Sequence, residues 1–114
     1  MANTFKAVTK AGVTSLDTIY TVASSTSAVV IGLVLGNTTG AAVTATVTLS
    51  SDTANRAGAN DEANQDVEII TNVPIPAASS FSVLDGKIIM EATDELKVSA
   101  SGATDVTLSI MEQT

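Results

Sequence analysis

Apolar and polar positions alternate with a period of two along much of this chain, in short runs. Residues 43–50 show it best: Val43, Ala45, Val47 and Leu49 fall on one side of an extended strand, and Thr44, Thr46, Thr48 and Ser50 on the other. The alternation returns over 94–100, where Leu96, Val98 and Ala100 oppose Glu95, Lys97 and Ser99, and again over 106–110. Strands of this kind bury one face, so they predict antiparallel sheets, and the threonine face of 43–50 should meet solvent or a polar interface. Residues 27–36 form a nearly continuous apolar run instead. A strand covered on both faces, within a sandwich or by a neighbouring subunit, reads this way, and it is the predicted central strand. Strand character also marks 5–8, 16–22, 66–73, 81–84 and 87–91, and no stretch carries a comparable helical period.

The punctuation between these runs predicts the connections. Ala11-Gly12 separates the first two strands, and Ser101-Gly102-Ala103 the last two. Asn37-Thr38-Thr39-Gly40 reads as a turn that folds 43–50 back on the central strand as a hairpin, because Asn and Gly accept positive φ at little cost. Asp85-Gly86 is the strongest short hairpin signal and pairs 81–84 with 87–91. Pro74 and Pro76 remove two backbone donors, which places the end of their strand at a sheet edge or at a crossing between sheets. Gly32, Gly36 and Gly40 recur every fourth residue but do not lie between a strand and a helix, so close backbone packing suits them better than a phosphate cradle. Residues 51–65, rich in Ala, Asn, Asp and Gly, have no period and read as an exposed polar loop. Some eight to nine short strands in 114 residues predict one all-β domain spanning 1–114, an antiparallel β-sandwich or jelly-roll-like barrel. Residues 1–10 read either as its first strand or as an arm that adds a strand to a neighbouring subunit.

Composition narrows the function. The chain has no His, Cys or Trp, one Tyr and two Phe, so the common general bases, thiolate nucleophiles, soft-metal ligands and aromatic platforms are missing, and catalysis is disfavoured. The many Ser and Thr hydroxyls have no histidine to activate them and lie in neither a Gly-x-Ser-x-Gly nor a Ser-x-x-Lys motif. A formal charge of -7 with only Lys6, Lys10, Arg56, Lys87 and Lys97 as cations disfavours nucleic acid and anionic membranes. The apolar run is far shorter than the roughly 20 residues of a spanning helix, and Lys6 and Lys10 are followed by Thr, Ser and Asp rather than by a secretory apolar segment.

Three groups of side chains are candidate sites. Asp52, Asp61, Glu62 and Asp66 can offer oxygen ligands to calcium, yet their spacing does not match an EF-hand, and solvation of a polar loop is the plainer role. Glu91, Asp94 and Glu95 resemble a catalytic carboxylate pair, but acids beside a turn commonly hold it through hydrogen bonds. Neither catalytic, cofactor nor metal residues are therefore expected. Phe5 and Tyr20, the large aromatics of the first half, are core residues or partner anchors, with Phe5 the better anchor. Together with Arg56 they are the residues assigned to partner contact.

The segments TIYTVASSTSAVVIGLVLGNTTGAAVTATVTL and VPIPAASSFSVLDGKIIMEATDELKVSASGATDVTLSIMEQT carry a further signal in the order of their features. A "YTV" strand, a Ser/Thr turn, an "IGL" strand, "NTTG", an alternating strand, "IPA", an apolar strand and "EATDELKV" follow one another. In this the chain resembles small virion structural proteins of tailed bacteriophages, particularly marine and cyanobacterial phages. The resemblance covers most of the chain outside 51–65 and implies a non-enzymatic protein of the virion, assembled in the host cytoplasm. A capsid decoration or cement subunit leads, with the major capsid protein as partner and a homo-oligomeric state. The alternatives are a neck or tail accessory protein contacting head-tail connector components, and a host-recognition or carbohydrate-binding module, which the scarcity of aromatics weakens.

Overall fold

A computed structural model describes residues 2–51 and 65–114. Nine strands are described: β1 (Asn3–Val13), β2 (Asp17–Thr21), β3 (Ser27–Asn37), β4 (Val43–Ser51), β5 (Gln65–Ile75), β6 (Ser80–Ser82), β7 (Ile88–Met90), β8 (Glu95–Ala100) and β9 (Thr104–Gln113). They form two antiparallel sheets, one in the order β1-β9-β3-β6 with β7 also on β3, the other β2-β8-β4-β5. We call them sheet A and sheet B. β6 and β7 lie end to end along one side of β3, against its 34–36 and 28–30 stretches. Counted as one interrupted strand, they leave two four-stranded sheets with the first strand paired to the last, which is the jelly-roll arrangement. The protein is an all-β sandwich.

The inward sets are those the alternation marked. Val30, Leu33 and Leu35 of β3 and Val106, Leu108 and Ile110 of β9 meet Ala45 and Val47 of β4 and Leu96 and Val98 of β8, with Ile75 and Met90 closing the layer, all essentially inaccessible to solvent. Burying each large aliphatic side chain contributes about 1.5–3 kcal/mol, and this shared core holds the sheets face to face.

Two expected hairpins are not formed. The 38–42 stretch carries the chain from β3 in sheet A to β4 in sheet B, and neither Asn37 nor Gly40 has a positive φ. Both sides of β3 are already taken, by β9 and by β6 and β7, so β4 buries its apolar set by crossing to the other sheet. The Asp85-Gly86 signal fails likewise: Gly86 lacks the positive φ of a tight hairpin turn, and β6 and β7 pair with β3 rather than with each other. Among the described strands, the consecutive β4 and β5 pair antiparallel, from Ser51 opposite Gln65 to Val43 opposite Ile75, with two shifts of register between. Of the predicted 51–65 loop, Ser51 and Gln65 belong to β4 and β5, and residues 52–64 lie outside the described residues.

Other expectations divide. Pro74 lies in β5, an edge strand, and Pro76 in the crossing from sheet B to sheet A, the two placements open to them. The glycines at four-residue spacing do not mark close packing: a Cβ on Gly32 or Gly40 meets nothing, and one on Gly36 meets only the Asp105 carbonyl at 3.9 Å. Close approach occurs at Gly102, where a Cβ falls 2.7 Å from Val43 Cγ1. Residues 3–13 form the first strand of the chain's own sheet, running through Ala11 to a bulge at Gly12 (φ 68°). β3 is central in sheet A as expected, but one of its faces stays partly open, with Ile31 and Val34 each about 40% exposed.

Candidate interaction surface

The open face of sheet A is built by register. Phe5 of β1 lies opposite Met111 of β9, Met111 opposite Val29 of β3, and Val29 opposite Ile89 of β7. Side chains at directly paired positions share a face, so these four make one apolar row across four strands. The ends of the row protrude most, Phe5 at 74% and Ile89 at 65% exposure. A bulge between Val30 and Gly32 turns Ile31 out as a further apolar side chain beside it. The next row, Ala7, Ser109 and Gly32, is made of small residues, and the one beyond holds Thr9, Thr107, Val34 and Ser82. Among the paired positions of this face only Asp105 carries a charge. Lys6 and Lys10 of β1 point the other way, sharing the side of Ile110 and Val106.

Those two lysines belong to a pattern at the sheet edges. Inward-pointing charge on an edge strand resists pairing with a second sheet, and β1 carries it twice. β5 is interrupted by shifts of register, by Asn72 at a φ of 48° and by Pro74. β2 is short and irregular, and the β6–β7 edge is broken in its middle. All four edges are blunted.

Sheet B presents a different outer face. Thr46, Thr48 and Ser50 of β4 lie beside Ser99, Lys97 and Glu95 of β8, and Ser50 and Thr48 also beside Asp66 and Glu68 of β5. A shallow open trough of about 400 Å³ lies along these hydroxyls, with Leu16 at its rim. Its polar groups largely satisfy one another: Ser50 Oγ donates to Asp66 Oδ1 at 2.6 Å, Thr71 Oγ1 to Glu68 Oε1, and the Asn72 amide N–H to Thr46 Oγ1 at 2.9 Å. Thr48 and Ser50 are buried among these neighbours while Thr46 is half-buried and Thr44 exposed, so the threonine face is a polar surface only partly open to water.

Of the residues assigned to partner contact, Phe5 stands on the open face of sheet A, whereas Tyr20 is turned inward. Tyr20 Oη donates to Glu112 Oε2 at 2.5 Å, and Lys6 Nζ lies 2.8 Å from Glu112 Oε1, so β2, β9 and β1 are tied across the edge of the sandwich. The Lys6 ammonium, then the Tyr20 hydroxyl, hold the Glu112 carboxyl below its ordinary range. Burial, then the bond to Glu112, push the Tyr20 phenol well above its ordinary value. Arg56, Asp52, Asp61 and Glu62 lie outside the described residues. Asp94, fully buried, accepts the Glu91 amide N–H on Oδ2 at 3.0 Å and holds the turn before β8, where Thr93 has a φ of 69°.

Asn37 was missed. Its buried Nδ2 reaches the Ala41, Ile75 and Pro76 carbonyls at 2.8, 3.0 and 3.1 Å, and its Oδ1 accepts from the Thr39 amide and hydroxyl. One amide thus pins two crossings between the sheets. Glu112 and the Met111, Val29 and Ile89 members of the row were missed as well; only the strand register brings them beside Tyr20 and Phe5.

No protein-family model matches the chain, and no curated protein matches it. Among solved structures it is similar to a chain from the disulfide-linked pili of Bacillus endospore appendages, over 99% of this chain and 87% of that one, at 14% identity and a TM-score of 0.48.

Proposed function

We propose that this chain is a non-enzymatic structural protein of a tailed-phage virion, a decoration or cement subunit on the capsid exterior. The observation that carries the reading is the outer face of sheet A, where an apolar row spans four strands on a surface with one charge among its paired positions. Interface cores are depleted of charge and enriched in Phe and Met, and this face has that character. The described polar clusters support the same reading, since the Tyr20–Glu112–Lys6 tie, the Asn37 corner and the Asp94 turn each hold the fold together. The order of sequence features shared with small phage virion proteins supplies the context, and the capsid is the partner.

Quantitative gel analysis of purified particles tests it. Hundreds of copies per particle are expected for decoration; six or twelve would move the protein to a connector ring, because closed cyclic symmetry fixes small integral counts. Particles lacking the protein should lose resistance to heat or low salt, and its absence from particles would overturn the reading.

A further inference from the structure

We infer that the outer face of sheet A is a self-association surface, on which a second copy of this chain packs sheet to sheet about a two-fold axis. The inference rests on the same face as the virion reading and names what covers it, a second subunit, leaving the rest of the surface to the capsid; particle copy number tests the virion reading separately. Three observations lead to it.

The edges are closed to strand addition by the inward lysines of β1, the proline and bulges of β5, and the short or broken β2, β6 and β7. Association must then use a face. Charge selects which face and which occupant. The chain carries a net charge of -7, and two copies repel through any surface that bears its carboxylates. The paired positions of sheet A's outer face hold only Asp105, while Lys87 and Asp85 lie beyond the end of β7. A cationic partner would be steered to carboxylates, of which this face has almost none; a like-charged copy is the occupant for which a neutral face is needed.

The rows complement themselves. Ala7, Ser109 and Gly32 form a low middle row, with the protruding Phe5 row on one side and the Thr9, Thr107, Val34 and Ser82 row on the other. A two-fold axis lying along the low row sets each protruding row over the flatter row of the other copy, Val29 against Val34. The same operation places Asp105 opposite Gln113, an amide that can donate to it, and sends the two Asp105 carboxylates to opposite ends. Eleven residues of β3 at about 3.3 Å, across four strand widths of about 4.8 Å, give roughly 700 Å² per copy. A standard stable interface buries about 800 Å² per partner, and this face comes close to that size.

Sedimentation equilibrium of the purified chain tests the inference. Wild type should be a dimer at micromolar concentration, tightening as salt screens the mutual repulsion. Ser109 is exposed and lies on the axis, so S109R and S109E should each weaken dimerisation roughly 100-fold or more while melting as wild type does, because each sets two like charges against each other. Mixing the two variants in equal amounts should restore the dimer, since opposite charges then meet. Should either variant fail to fold, F5E and I89E, at the two most exposed positions of the row, provide the same loss. A monomeric wild type, a trimer or larger ring, a dimer untouched by these changes, or a mixture that stays monomeric would each overturn the inference.

Discussion

The two outer faces of this sandwich come from strands with the same inward pattern and end in opposite characters. Both sheets turn Val, Leu and Ile inward on the same period of two, and both contribute fully buried side chains to the core. Outward, β4 and β8 show Thr, Ser, Lys and Glu, whereas β3, β9, β1 and β7 show Val, Met, Phe and Ile beside small residues. The inner set decides that a sandwich forms, because that is where apolar area leaves water. The outer set is free of that demand, so its composition reports what the surface meets. Hydroxyls that satisfy one another suit water, and an uncharged apolar row suits another protein.

The harshest way to break the contrast is to remove what holds both faces in place. Asn37→Ala deletes the buried amide that serves two crossings and leaves the Ile75 carbonyl in a dry site, costing about 2–4 kcal/mol, so a denaturant titration should show both faces lost in one transition. Next comes the crossing from β8 to β9. Gly102→Ala forces a Cβ to within 2.7 Å of Val43 Cγ1 and should cost about 1–3 kcal/mol by thermal melting.

Glu112→Gln loosens the tie across the β1 and β2 edge and should cost about 1–2 kcal/mol near neutral pH. Its pH dependence has a definite sign. The folded-state pKa of Glu112 is depressed, so its stabilisation is fully present above the unfolded carboxylate value of about 4.3 and is lost as pH falls through the folded value. Melting temperatures of wild type and variant should therefore converge in acid. The smallest effect sharpens the contrast most: Lys97→Ala, on sheet B, should change stability by no more than about 0.5 kcal/mol and leave association as it was, whereas Ile89→Lys, on sheet A, should spare stability equally and weaken association.

Strand positions were legible in the chain because alternation is a local signal, and all nine runs lie where it put them, give or take a few residues. Their partners were not. Asn37-Thr38-Thr39-Gly40 and Asp85-Gly86 carry hairpin chemistry, yet pairing depends on which strand sides are still free, and β3 had none for β4. Pro74 was read correctly because a missing donor is a property of the residue itself. Phe5 stood out as a lone aromatic, but Met111, Val29 and Ile89 lie far from it in sequence and become its neighbours only through register. Tyr20, the weaker of the two candidate anchors, is instead engaged through its hydroxyl by Glu112, ninety-two residues away.

Methionine oxidation measures the central claim directly, since one methionine lies on each side of sheet A. Met111 belongs to the outer row and Met90 is fully buried in the core. With dilute peroxide, Met111 should oxidise quickly in dilute protein and become protected as the concentration rises through the micromolar range, while Met90 stays slow throughout. Equal oxidation of Met111 at low and high concentration would mean that this face stays open to water, and the account of it as a contact surface between copies would be wrong.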